Sequence, residues 1–116
     1  MKNLFLILII SFLSLPATPL KAQDTKKLDT LTIKTSAQCD MCKNRLEKAF
    51  AYEKGVKKSE LDVETATFTV VYVPKKTNPE ILKEAVTKVG YDADELPANE
   101  KAYEQLPDCC KKGGHK

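Results

Sequence analysis

Ser36-Ala37-Gln38-Cys39-Asp40-Met41-Cys42-Lys43 is the stretch on which the reading of this chain turns. Before it, Leu31 and Ile33 alternate with Thr30, Thr32 and Lys34 in a β-branched run that ends at Ser36, the two-residue period of a half-buried strand. From Asp40 the period changes. Cys42, Leu46, Ala49 and Phe50 fall at i, i+4, i+7 and i+8, one apolar stripe of a helix whose other side shows Lys43, Glu47 and Lys48. Two cysteines therefore straddle the point where a strand gives way to a helix.

Further along, Gly55 reads as the end of that helix. Residues 56–73 contain two alternating stretches, Ser59-Leu61-Val63 and Phe68-Val70-Tyr72, separated by Glu64, Thr65 and Ala66, which predicts a β-hairpin. After Pro74, Thr77-Asn78-Pro79-Glu80 opens a second helix, with Thr77 or Asn78 as cap and Pro79 harmless in the first turn. Ile81, Leu82, Ala85, Val86 and Val89 form its apolar face, and Gly90 is its left-handed stop. Residues 91–96 are read as a final edge strand, mainly because the topology asks for one. Pro97 and Pro107 bracket a short helix, and residues 108–116 read as a polar tail broken by Gly113-Gly114. Strand, helix, strand, strand, helix, strand predicts an α+β fold, the ferredoxin-like βαββαβ sandwich: a four-stranded antiparallel sheet with two helices on one face.

The beginning of the chain reads differently. Lys2 precedes an unbroken run from Leu4 to Leu15 with nothing more polar than Ser11 and Ser14, followed by Pro16, Pro19 and the small-residue site Lys21-Ala22-Gln23. As a helix that run rises about 18 Å, short of the ~30 Å hydrocarbon core, so residues 1–22 are expected to be a secretory signal peptide rather than a membrane anchor. Residues 23–29 follow as a flexible leader, 30–96 as the folded domain, and 97–116 as a C-terminal extension. Two of the 19 basic residues, Lys2 and Lys21, belong to the signal, which brings the remainder close to balance with its 16 acidic residues. Lys and Glu alternate rather than cluster, which argues against nucleic acid as a partner. The expected product is secreted to the periplasm, with no membrane span after cleavage; 116 residues in all exclude a large enzyme.

The chemistry lies in the cysteines, all of which follow the signal, as the pairs Cys39/Cys42 and Cys109/Cys110. Structural disulfides are the usual use of cysteine in an oxidising compartment. Here the spacing opposes it, because vicinal cysteines join poorly and a four-residue loop yields little loop-closure entropy. A thiolate is both nucleophile and soft-metal ligand, and the start of a helix favours its negative charge. Two sulfurs separated by two residues can converge on one ion, and soft thiolates select Cu(I), Zn(II) or Hg(II) over Mg(II) or Ca(II).

With these residues the chain resembles the heavy-metal-associated domain family, which includes copper chaperones, the amino-terminal domains of copper-transporting ATPases and the mercuric-ion periplasmic binding protein. The likeness runs from about Leu31 to Leu96. Ala37-Gln38-Cys39-Asp40-Met41-Cys42 matches the family's metal loop, Met-x-Cys-x-x-Cys. Gly55-Val56, Leu61-Asp62-Val63, Val70-Val71-Tyr72 and Gly90-Tyr91-Asp92-Ala93 match its later landmarks. The resemblance implies Cys39 and Cys42 as primary metal ligands and Tyr91 as a lid near the loop, although an aromatic after a helix-stop glycine also serves to close a small core. It departs at Ala37, where the family carries a Met that anchors the loop from beneath. Met41, between the cysteines, is either a third soft ligand or a packing residue. Lys43, Arg45 and Lys48 read as solvated helix charges or as a cationic docking face.

The expected function is that of an exported heavy-metal-binding protein, a copper(I) chaperone or scavenger, with no catalysis. It would hold one ion between the two thiolates and pass it by ligand exchange to a metal-transporting ATPase or another soft-metal acceptor. The rival is a thiol–disulfide oxidoreductase using the same pair, disfavoured because a hairpin rather than a crossover follows the first helix. Cys109, Cys110 and His115 form a Cys/His tract that is a candidate accessory metal set, set against a solubilising end or a disulfide partner for the first pair.

Overall fold

A computed structural model of the protein describes residues 27–112. The expected signal peptide, most of the leader, Gly113-Gly114 and His115 lie outside the described residues. The elements run β1 (Asp29–Lys34), α1 (Asp40–Phe50), β2 (Val56–Asp62), β3 (Thr67–Tyr72), α2 (Pro79–Val89) and α3 (Glu100–Glu104), followed by a single 3₁₀ turn at Asp108–Cys110. β3 lies in the middle of an antiparallel sheet of order β1-β3-β2. In register, Ile33 faces Phe68 and Phe68 faces Leu61, so the period-two pattern read in each strand puts all three on one side. That side is buried; Thr32 and Glu60 on the other are exposed, the usual division for an antiparallel sheet covered on one face.

The covering helices bring Cys42, Leu46 and Phe50 from α1 and Leu82 and Val86 from α2 into the same core cluster. Phe50 meets Phe68 edge-on, ring centroids 4.8 Å apart, a favoured geometry because a ring's positive edge meets its neighbour's negative face. Asn78, not Thr77, caps α2, its side chain accepting from the Ile81 N–H at 2.9 Å. Gly90 closes that helix at φ 120° as expected. Gly55 has another task than the one assigned to it: α1 already ends at Phe50, and at Gly55 (φ 82°) an added Cβ would come within 2.8 Å of Thr77 Cγ2. The glycine thus permits the β2 entry to pass under the loop before α2.

Among the described residues the sheet has three strands, and the fourth expected over 91–96 does not form. Ala93 makes only isolated bridges, to Thr35 and to Leu96. The reason lies at Asp94, whose φ of 52° is incompatible with an extended run. Instead the Lys34 N–H donates to Asp94 Oδ1 at 2.9 Å and the Asp94 N–H donates to the Lys34 carbonyl at 2.8 Å. The outer edge of β1 is thereby closed by one aspartate rather than by a strand. At the opposite edge Glu47 Oε2 accepts from the Leu61 N–H at 2.8 Å, and Lys43, paired with Glu47 at 2.7 Å, donates to the Leu61 carbonyl.

The C-terminal extension also departs from its reading as a polar tail. α3 lies between the two prolines as expected, but Leu106 and Cys110 beyond it are 4% and 1% exposed and belong to the core cluster. Their burial holds the extension against the domain.

Candidate metal site

α1 begins where the cysteines predict. Cys39 is its N-cap residue, with extended φ/ψ of −153° and 172°, and its carbonyl accepts the first helical bond, from the Lys43 N–H at 2.9 Å. Cys42 is in the first turn. With one sulfur at the cap and the other a turn inward, the two side chains meet, and Sγ of Cys39 lies 3.2 Å from Sγ of Cys42. Cys42 is fully buried and Cys39 half-buried, so Cys39 is less open than its place on a loop suggested.

A third sulfur completes the group. Cys110, delivered by the 3₁₀ turn, brings its Sγ to the same place, and the Sγ atoms of Cys39, Cys42 and Cys110 all lie within 4.8 Å of one another. Cys109, its neighbour in sequence, stands at the side of this group: its Sγ is 4.0 Å from Cys110 Sγ, its thiol donates to Met41 Sδ at 3.6 Å, and its carbonyl accepts from Cys39 Sγ at 3.6 Å. Met41 is 48% exposed, so it stands at the rim of the cluster. Among the described residues no disulfide joins any of the four cysteines. Of the accessory set, then, the structure brings Cys110 into the primary site, sets Cys109 at its edge, and does not describe His115.

The electrostatics divide the first pair. Burial pushes the Cys42 thiol up, but the Gln38 backbone and the Tyr91, Cys39 and Cys110 side chains act on it by hydrogen bonding, and it ends below the ordinary thiol value. Burial and the bond to Cys42 push Cys39 up. Of this pair Cys42 is therefore the one that ionises first. Burial pushes the Cys110 thiol up to about 12. It is thus a neutral thiol at pH 7.

Tyr91 closes the core, one of the two readings made of it, with its hydroxyl near the thiols of Cys42 and Cys110. Among the described residues it is the largest fully buried side chain, yet its hydroxyl has no hydrogen-bond partner. Burial, together with the nearby thiols of Cys42 and Cys110, pushes its pKa well above the usual phenol range. Ala37 is fully buried in the same cluster as Tyr91, Leu106 and Cys110. Lys43 is committed to Glu47 and Leu61, which removes it from the cationic docking face.

What the sequence reading missed is the convergence of Cys110 on Cys39 and Cys42. The vicinal pair was its only signal, and adjacency alone does not say which of two neighbours turns inward.

The family model of the heavy-metal-associated domain matches residues 32–92. The copper chaperone CopZ of Staphylococcus haemolyticus is 37% identical over 54 residues, 47% of this chain and 79% of that protein. The amino-terminal domain of a potential copper-translocating P-type ATPase from Bacillus subtilis, solved in its Cu(I)-loaded state, superposes with a TM-score of 0.55 at 32% identity, over 59% of this chain and 86% of that one. Oxidized MerP from Ralstonia metallidurans CH34 gives a TM-score of 0.55 at 26% identity, over 59% of this chain and 96% of the other. Of three longer curated relatives, two of them copper-transporting ATPases, the chain spans 17% of the length or less.

Proposed function

The chain belongs to the heavy-metal-associated domain family, and from that premise we propose that it carries or scavenges a soft metal ion, Cu(I) before Zn(II) or Hg(II), using Cys39 and Cys42. The observation that carries this reading is the 3.2 Å approach of the two sulfurs at the start of α1. The start of a helix favours negative charge, and the buried member of the pair is the one that ionises more readily. Binding releases the thiol protons to solvent and leaves a thiolate–metal complex.

Transfer would proceed by ligand exchange. An incoming thiolate of the acceptor bonds to the ion before one of the resident sulfurs leaves, so the ion passes through a three-coordinate state and is never free. The acceptor proposed is a metal-transporting ATPase or another soft-metal protein; the copper chaperone and copper-ATPase relatives support this choice. Export to the periplasm is proposed on the composition of residues 1–22. There Cys39 and Cys42 would need a reducing partner to stay competent.

The oxidoreductase reading has less to stand on, since β2 and β3 pair antiparallel directly after α1, where a thioredoxin-like chain would cross over. Native mass spectrometry of the reduced protein with Cu(I), Zn(II) and Hg(II) in competition tests the proposal. One ion bound by the wild type and none by a folded C39S/C42S variant is expected. Retained stoichiometry in that variant, or insulin reduction well above a Cys42→Ser control, would replace this reading.

A further inference from the structure

We propose that Cys110 is the third sulfur ligand of the site, and that residues 106–112 form a strap which must lift before the ion can leave. This rests on the reading of Cys39 and Cys42 as metal ligands and extends it to a segment beyond the 32–92 family match.

Geometry supplies the first argument. A metal–thiolate bond of about 2.3 Å in a trigonal plane sets its sulfurs about 4 Å apart. The three Sγ atoms here are within 4.8 Å of one another, with Cys39 and Cys42 at 3.2 Å. Small side-chain rotations suffice to seat one ion between them. Three sulfurs suit Cu(I), whereas Zn(II) in a closed structural site takes four ligands. Cys109 Sγ is 4.0 Å from Cys110 Sγ but stands outside the group of three that lie within 4.8 Å of one another, and its thiol donates to Met41.

A second argument is that the strap is built rather than merely nearby. The Cys110 N–H closes the 3₁₀ turn on the Pro107 carbonyl at 2.8 Å, and Gln38, next to Cys39, donates to the Lys111 carbonyl at 2.9 Å. The Lys112 N–H donates to the Tyr103 hydroxyl at 2.9 Å, and its ammonium group reaches Asp92 at 2.8 Å. Gly90 makes room for this seat: an added Cβ would meet Leu106 Cγ and the Ala102 carbonyl at 3.1 Å.

Tyr91 is the independent pointer to a ligand. Its hydroxyl is fully buried, without a full hydrogen-bond partner, and under the influence of Cys42 and Cys110. Buried polar atoms are ordinarily satisfied. A thiol that an ion has deprotonated and drawn into place gives this hydroxyl the acceptor it lacks.

The consequence concerns release. In a two-sulfur site the third coordination position is open to an incoming thiolate; here Cys110 occupies it. Exchange then requires the strap to undock first, so the ion is retained more firmly than Cys39 and Cys42 alone would hold it.

The test uses the reduced full chain loaded with one equivalent of Cu(I). X-ray absorption should count three sulfurs around copper in the wild type and two in Cys110→Ser, and transfer to the chelator bathocuproine disulfonate should be at least tenfold faster in the variant. Two sulfurs in the wild type would overturn the proposal without recourse to any variant, as would an unchanged release rate in a variant with the wild-type circular dichroism. A folded Cys42→Ser variant that still binds copper tightly would instead overturn the underlying two-cysteine reading, so the two failures are distinguishable.

Discussion

Lys112 Nζ lies 2.8 Å from Asp92 Oδ2, joining the end of the described chain to the residue directly after Tyr91. The same carboxylate accepts the Ala98 N–H at 2.9 Å through its other oxygen. One aspartate thus holds both the turn that replaces a fourth strand and the strap that carries Cys110. Lys112 is 58% exposed, so the ion pair itself is worth at most about 1 kcal/mol.

Its pH dependence has a definite sign. Burial pushes the Asp92 carboxyl up, but Lys112 and the Ala98 N–H outweigh it and hold it below the usual carboxylate range. A depressed folded value means that the contribution is complete above the unfolded value, about 3.9, and is lost as pH falls through the folded one. The Lys112 amide resonance should therefore be constant from pH 7 to 5 and shift only in more acid solution. In Asp92→Asn it should start at the undocked position and not titrate with this carboxylate.

Tyr91→Phe removes a buried hydroxyl with no full partner. The metal-free protein should gain about 1 kcal/mol or remain unchanged in urea unfolding, because an unsatisfied polar group is removed. Cys42 should at the same time become harder to ionise, since that hydroxyl is one of the groups that lower it. Thiolate absorbance near 240 nm, followed against pH, reads this second effect.

Gly55→Ala should destabilise the fold by about 1–3 kcal/mol, because φ is 82° and the new Cβ would be 2.8 Å from Thr77 Cγ2. Metal stoichiometry should be unchanged, since this turn is remote from the sulfurs in the chain and no cysteine contacts it among the atoms that would meet the new Cβ. Thermal unfolding with a parallel copper titration checks both halves.

Ala37→Met restores the residue that the family motif carries at this position, in a place that is already filled. Ala37 is fully buried in the cluster that holds Tyr91, Leu106 and Cys110. The larger side chain should cost about 1–3 kcal/mol by overpacking and loosen the strap. Faster alkylation of Cys110, read by peptide mass spectrometry, would report that loosening; a stability equal to the wild type would show that the cluster has room to spare.

Much of this was open to inspection in the chain. The alternation of Leu31 and Ile33, the stripe of Cys42, Leu46 and Phe50, and the paired stretches around Ala66 specified β1, α1 and the hairpin, because periodicity reports which side of an element is dry. Asn78 and Gly90 bounded α2 for a similarly local reason: capping is a matter between near neighbours. The fourth strand failed as an expectation because its only warrant was topological. Asp94 takes a left-handed backbone conformation and closes the β1 edge with its own side chain and N–H, and nothing in Tyr91-Asp92-Ala93-Asp94 announces that.

By itself, then, the sequence determined a strand-to-helix junction bearing Cys39 and Cys42, since the backbone geometry of a helix start brings sulfurs at that spacing together whatever surrounds them. Tertiary structure alone decided that Cys110 joins them while Cys109 turns to Met41. That outcome depends on a bare Gly90 surface, a seat for Leu106 and a carboxylate at Asp92 waiting for Lys112. None of these is a neighbour of Cys110 along the chain in the way that Asp40 and Met41 are neighbours of Cys39 and Cys42. Contacts between distant segments form only when the whole core has packed, and no local period or spacing encodes them.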